Sequence, residues 1–274
     1  MTDRPRRRTV VGGMVAAGTI FPAWVPANAR PPETPDMIVS PVVELRQYTL
    51  HPDQRDVLID LFEREFVETQ EAVGATVIGQ FRDLDAPDRY VWLRGFPDME
   101  ARKAALEAFY FGPVWQTHRA AANATLIDSD NVLLLRALDA GSGFTLGDRA
   151  PVGATGPGRG VVIAGVHALS GPHDLLPGRF RNDLAPRLAA AGLTPAAGLV
   201  TETSANTFPR LPVREGELVL VWLAAVADAG AAATALGRAR SDPNLAAFLS
   251  DALQLMRLQP TARSRLHGGQ SIAG

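Results

Sequence analysis

The residues best equipped for chemistry in this chain fall on one short segment, Val42-Val43-Glu44-Leu45-Arg46-Gln47-Tyr48-Thr49-Leu50. Its alternation and its β-branched and aromatic content read as a strand, with Glu44, Arg46 and Tyr48 on one face and Val43, Leu45 and Gln47 on the other. An acid, a cation and a phenol at alternate positions could polarise a small substrate or transfer a proton. The same residues could equally be an ion pair that orders a sheet, because a buried charge demands a partner. His118, on a helical segment with Trp115, could be a base or, facing a cleft, an axial haem ligand; on the outer side of the helix it would be a solvated residue. Trp92, Trp115 and His167 are the side chains expected to touch a ligand, although Tyr90, Trp92 and Trp222 also suit plain core packing.

Other chemistries are excluded by what the chain lacks. There is no Cys, so no disulfide, thiolate metal site or cysteine nucleophile. None of the five His pairs with another at metal-ligand spacing, and no metal is expected. The pattern Gly-x-Ser-x-Gly is missing, the single Lys103 leaves no phosphate loop, and Gly156-Pro157-Gly158-Arg159-Gly160 lies in a linker rather than after a strand. With Lys+Arg 27 against Asp+Glu 29, no basic excess invites nucleic acid.

The chain divides along its length. Residues 1–29 carry Arg4, Arg6, Arg7 and Arg8, then a Gly-interrupted apolar run, then Ala27-Asn28-Ala29 as a small-x-small cleavage site. Arg7-Arg8-Thr9-Val10-Val11 resembles a twin-arginine export signal, which implies a periplasmic or secreted protein. The apolar run is too short and too broken to span a bilayer, so no membrane span is expected after cleavage. Residues 30–41 are Pro-rich and read as an extended leader.

From Val42 the pattern is strand, helix (capped by Asp53, ended by Gly74), strand (75–82), turn, strand (89–96), helix (99–109), a short helix around Trp115, and strand (131–138). That order, β-α-β-β-α-β, is the ferredoxin-like unit. A Gly-rich linker covers 139–160, and the pattern restarts at Val161 and runs to 260, with residues 261–274 as a flexible tail. The second copy has a longer hairpin, Ser204 to Pro212, and carries Pro177 and Pro186 in its first helix, which should weaken those elements. Where the first copy has Glu44, Arg46 and Tyr48, the second has Ile163, Gly165 and His167, so a site should be single and centred on the first copy. A four-stranded sheet with helices on one face leaves its other face apolar, and a second sheet is the natural cover. The expected fold is therefore α+β, two ferredoxin-like units closed into an intrachain barrel, with any further oligomer optional.

Glu44-Leu45-Arg46-Gln47-Tyr48-Thr49-Leu50, the Gly-containing second strand, the third strand around Trp92 and the Trp115-Gln116-Thr117-His118 helix together resemble the NIPSNAP family over 42–138. The resemblance implies a dimeric α/β-barrel, here with the partner unit supplied in cis. It implies no settled reaction, since the wider superfamily includes cofactor-free monooxygenases, isomerases and dehydratases of small aromatic or polyketide-like compounds as well as haem enzymes. Asp-Gly is absent, which removes the Gly-x-x-Asp-Gly motif of exported dye-decolourising peroxidases and argues against haem; no cofactor is expected. Three functions stay open: a binder of a small apolar or aromatic molecule in the cleft of the pseudo-dimeric barrel, a cofactor-independent enzyme using Glu44, Arg46, Tyr48 and His118, or a non-catalytic interaction module of the cell envelope.

Overall fold

Strand β1, Val42–Leu50, sets the layering through its alternation. Val43 and Leu45 enter a common interior with Leu93, Leu133 and Leu135, whereas Tyr48 on the opposite face packs with Leu58, Phe62 and Phe66 beneath a helix. The structure, a computed structural model, describes residues 1–2, 37–38, 40–139 and 143–268. The expected export signal, apart from its first two residues, and most of the leader lie outside the described residues.

After β1 comes α1, built from Arg55–Leu61, a π-helical turn Phe62–Phe66 and Val67–Glu71. Gly74, at φ 98°, follows it in the left-handed conformation expected of a C-cap. Asp53 does not cap this helix. It takes φ 62° itself, in a tight turn closed by the Gln54 N–H donating to the His51 carbonyl, and Gln54 holds the N-cap without a side-chain bond. Asp is one of the few residues whose side chain tolerates that region. Strands β2 (Thr76–Asp83) and β3 (Arg89–Phe96) form a hairpin, α2 (Met99–Tyr110) starts at Asp98, which accepts from the Ala101 N–H at 2.7 Å, and α3 (Pro113–Ala124) leads into β4 (Leu126–Ala137).

The second unit has the same order. It comprises β5 (Val161–Ala168), α4 (Leu176–Arg179, a π-helical turn Phe180–Leu184, then Ala185–Ala191), β6 (Pro195–Thr201), β7 (Val219–Val226), α5 (Ala229–Ser241, capped by Asp228), α6 (Pro243–Ser250) and β8 (Gln254–Pro260). Pro177 and Pro186 do not break α4. Each falls in the first turn of a helical segment, where a missing N–H is tolerated, and Pro186 follows directly on the π-helical turn.

The eight strands close into one barrel in the order β8-β2-β3-β1-β4-β6-β7-β5. Each unit's last strand pairs antiparallel with the second strand of the other: Leu135, Arg136 and Ala137 face Thr201, Val200 and Leu199, and Leu258, Gln259 and Pro260 face Asp83, Arg82 and Phe81. This pairing leaves the barrel without a free edge. Val162, Ala164, Val166, Leu199, Val221, Leu223, Met256 and Leu258 meet the first unit's apolar residues inside, so the lumen is a packed core.

Two segments expected to be loose are part of that core. In the Gly-rich linker, Phe144–Thr145 pairs with Met37–Ile38 of the leader, and Phe144 and Leu146 are buried in the barrel. The stretch expected as a tail from residue 261 packs as far as Gly268. Leu266 is fully buried in the same core, its N–H donates to the Ile78 carbonyl, and the buried Arg263 bonds to the Glu63 carbonyl and the Glu68 carboxylate. Arg149 of the linker is clamped alongside by Glu71 and the Val77 carbonyl. Leu266→Ala should therefore cost about 2–5 kcal/mol in urea unfolding, a penalty that a residue in a free tail would not show.

An arginine-clamped glutamate beneath an aromatic cavity

Glu44, Arg46 and Tyr48 lie where β1 is covered by α1 and α2, and all three are buried. Arg46 Nη1 donates to Glu44 Oε2 at 2.8 Å, and Arg46 Nε donates to the Tyr48 hydroxyl at 2.9 Å. Two further arginines close on the same carboxylate. Arg94, paired with Glu44 across the β1–β3 ladder, donates from Nε to Oε2 at 2.8 Å, and Arg102 of α2 donates from Nε to Oε1 at 2.6 Å. The outer ends are fixed in turn: Arg94 Nη1 donates to Gln70 Oε1 at 2.7 Å, and Arg102 Nη1 to Asn206 Oδ1 at 3.0 Å on the β6–β7 hairpin of the second unit.

Electrostatics follow this geometry. Burial alone would raise the Glu44 carboxyl, but the guanidinium groups of Arg94, Arg46 and Arg102 outweigh it and hold Glu44 far below the ordinary carboxylate range. Burial likewise opposes the Arg46 charge, and Tyr48 and Glu44 more than offset it. Burial pushes the Tyr48 phenol up, with Arg46 acting in the other direction. Tyr48 is thus a neutral hydroxyl that accepts from Arg46 and keeps its own hydrogen to donate.

Tyr48 belongs to the wall of a cavity of about 350 Å³ lying between the sheet and the helices of the first unit. Tyr48, Phe62, Phe66 and Trp92 are buried in its wall, Phe109, Tyr110 and Trp115 come from α2 and α3, and Phe208, Arg210 and Leu211 reach in from the β6–β7 hairpin. The π-helical turn of α1 supplies both Phe62 and Phe66, which pack edge-to-face at 6.0 Å. Phe208 stacks on Tyr110 at 5.9 Å and 19°, and Thr207 Oγ1 donates to the Met99 carbonyl. The long hairpin is therefore a wall of the cavity and not a weakened element. The cleft is also not the barrel interior, which side chains fill.

The second unit carries a different arrangement at the matching place. Gly165 pairs with Trp222 across its ladder as Arg46 pairs with Trp92, and a Cβ on Gly165 would come within 2.2 Å of the Trp222 indole nitrogen. Trp222 Nε1 donates to His167 Nε2 at 3.1 Å, and the His167 ring stacks on Phe248 at 3.8 Å. Space held by Arg46 in one unit is held by an indole in the other.

Of the residues singled out in sequence, the structure joins Glu44, Arg46 and Tyr48 and places Trp92 and Trp115 in the cavity wall. His167 is in the second unit and is not among the lining residues. His118 is not either: it lies beside Phe66 with Nε2 3.6 Å from Glu65 Oε2 at the partly exposed outer side of α3. Arg94, Arg102, Tyr110 and Phe208 were not foreseen. Arg102 could have been, since it shares the stripe Arg102, Ala105, Leu106, Phe109 that α2 buries. Among the described residues, no group of three or more His, Cys, Asp or Glu could hold a metal, and no helix is long and apolar enough to cross a membrane.

Residues 43–140 match the NIPSNAP family model. The first unit is a NIPSNAP domain. It is similar to a NIPSNAP-like domain protein of Burkholderia xenovorans (28% identity over 34% of this chain and 81% of that one, TM-score 0.32) and to a NIPSNAP family protein of Agrobacterium tumefaciens (18% identity over 34% and 90%, TM-score 0.31). Over the whole barrel, an anthrone oxidase-like protein aligns with 85% of this chain and 99% of its own at 13% identity and a TM-score of 0.44. No curated protein matches.

Removing the charge of Glu44 leaves three arginines buried around a neutral group. Glu44→Gln should destabilise the NIPSNAP domain by about 3–5 kcal/mol in denaturant unfolding. Because the folded-state value of Glu44 is depressed, its contribution is complete above its ordinary 4.5 and falls away as pH drops below that. His167 acts in a separate window. Burial pulls its imidazole down to about 4, against a smaller upward pull from Asp251. The folded protein keeps His167 neutral, so its contribution is complete above the ordinary 6.5 and is lost as pH falls towards about 4. Urea midpoints measured across that window should decline in the wild type and less steeply in His167→Leu.

Proposed function

We propose that this is an exported NIPSNAP-like protein that takes up a small aromatic or apolar molecule in the cavity of its first unit. The observation that carries this reading is the cavity itself: its volume falls within the range of small-molecule sites, nine of its nineteen lining residues are aromatic, and Tyr48, with its hydroxyl, is among those buried in the wall. A module without a ligand would be expected to close such a space, as Trp222, His167 and Phe248 do over Gly165.

A second reading rests on Tyr48. With Arg46 donating to its oxygen, the phenol is oriented to give its own proton to a bound oxygen atom, which suits a cofactor-independent enzyme of the monooxygenase or isomerase type. Tyr48→Phe separates the two readings. Lost turnover with retained affinity supports the enzyme, and a change in affinity alone supports the binder.

The protein purified from the periplasm should carry a small aromatic molecule detectable by untargeted mass spectrometry. Asn123, exposed at the mouth on α3, is a place to block entry: Asn123→Trp should abolish that molecule while leaving the far-UV circular dichroism spectrum unchanged. A chain that comes out empty, and whose Trp92 and Trp115 fluorescence responds to no aromatic probe, would sink the proposal.

A further inference from the structure

Three guanidinium groups share one carboxylate beneath the cavity, leaving two positive charges in excess. Asp and Glu are absent from the cavity lining, whereas Arg119 and Arg210 stand exposed at its mouth. Buried charge without a counter-charge is costly, and a buried donor without an acceptor is as well. Both kinds of deficit occur here. Arg46 is fully buried and its Nη2 has no acceptor among the described residues; the same holds for Nη2 of Arg102 and for Nε1 of Trp92, which is itself 2% exposed and part of the wall. The Tyr48 hydroxyl accepts from Arg46 and offers its hydrogen in addition. Gln70, the other polar residue buried in the wall, has its carbonyl oxygen taken by Arg94 and donates its amide to the Phe66 carbonyl.

The buried end of the cavity is therefore equipped to donate and not to accept. Its buried carboxamide acceptor, Gln70 Oε1, is already engaged, and no carboxylate lines the cavity among the described residues. We infer that the molecule bound there is an aromatic carboxylate, with its ring against Phe62, Phe66 and Trp115 and its carboxylate oxygens at the Tyr48 hydroxyl and the Trp92 indole N–H. The arginines need not touch it. Their excess charge acts through Tyr48, which Arg46 polarises, and through a low-dielectric wall where charge is poorly screened. Arg119 and Arg210 draw an anion to the mouth.

This inference rests on the cavity being a binding site, and a matched pair of probes separates the two claims. Titration of the whole chain with a naphthoate and with the neutral naphthylmethanol of the same shape, followed by tryptophan fluorescence and calorimetry at neutral pH, should show the anion binding at least about tenfold tighter. Tyr48→Phe should lower naphthoate affinity by about tenfold and leave the alcohol within about twofold. Trp92→Phe should act in the same direction. If neither probe binds the wild type, the binding site fails and the inference falls with it. Should both bind equally, or the alcohol more tightly, the site stands and the anionic ligand is wrong. An anion preference unchanged in both folded variants would also overturn the placement of the carboxylate. Were Tyr48→Phe not to fold, the wild-type comparison and Trp92→Phe decide by themselves.

Discussion

A carboxylate buried among three guanidinium groups persists in a protein interior only where geometry fixes every participant. Glu44 is held in this way, and much of the first unit is arranged around it. Its strand neighbour Arg46 orients Tyr48, its ladder partner Arg94 engages Gln70 of α1, and Arg102 carries the contact from α2 to Asn206 of the second unit. One side chain thus ties together two strands, two helices and a hairpin from the other half of the chain. Such a network is poor value as stabilisation when compared with apolar packing, but it is specific, because a shift of any element would strand a charge.

The two units solve the same packing problem differently. Both must cover the outer face of a four-stranded sheet with helices, and both place a Trp at the matching point of the third strand, Trp92 and Trp222. In the first unit Arg46 stands beside the indole and a cavity persists above it. In the second, Gly165 lets the indole settle onto the sheet, where it bonds to His167 and closes the space. The second unit fills that point and also contributes to the wall of the first unit's cavity, through the hairpin that carries Asn206, Thr207 and Phe208.

Much of this fold was legible because it rests on local signals. The alternation of Val42–Leu50, the glycine at 74 and the repeated order of elements are short-range facts, and the barrel follows from the need to cover two apolar sheet faces. What escaped depends on distance in sequence. Pro195–Thr201, with its Pro, two Ala and Gly, has weak β propensity and is a strand because β4 and β7 flank it. Phe144 and Leu266 sit among glycines and polar residues, and only the closed barrel shows that they fill it. The same holds for the site: Glu44, Arg46 and Tyr48 are neighbours in sequence, whereas Arg94, Arg102 and Phe208 join them only through the ladder, the helix and the other unit.

The hairpin that walls the cavity is joined to the first unit by the chain itself. In a barrel assembled from two separate chains, a wall supplied by the partner would exist only above the dissociation constant of the pair, and occupancy of the site would follow protein concentration. Covalent linkage replaces that dependence by a fixed effective concentration, set by the residues that connect the units. The cavity is then complete in a single molecule at any dilution.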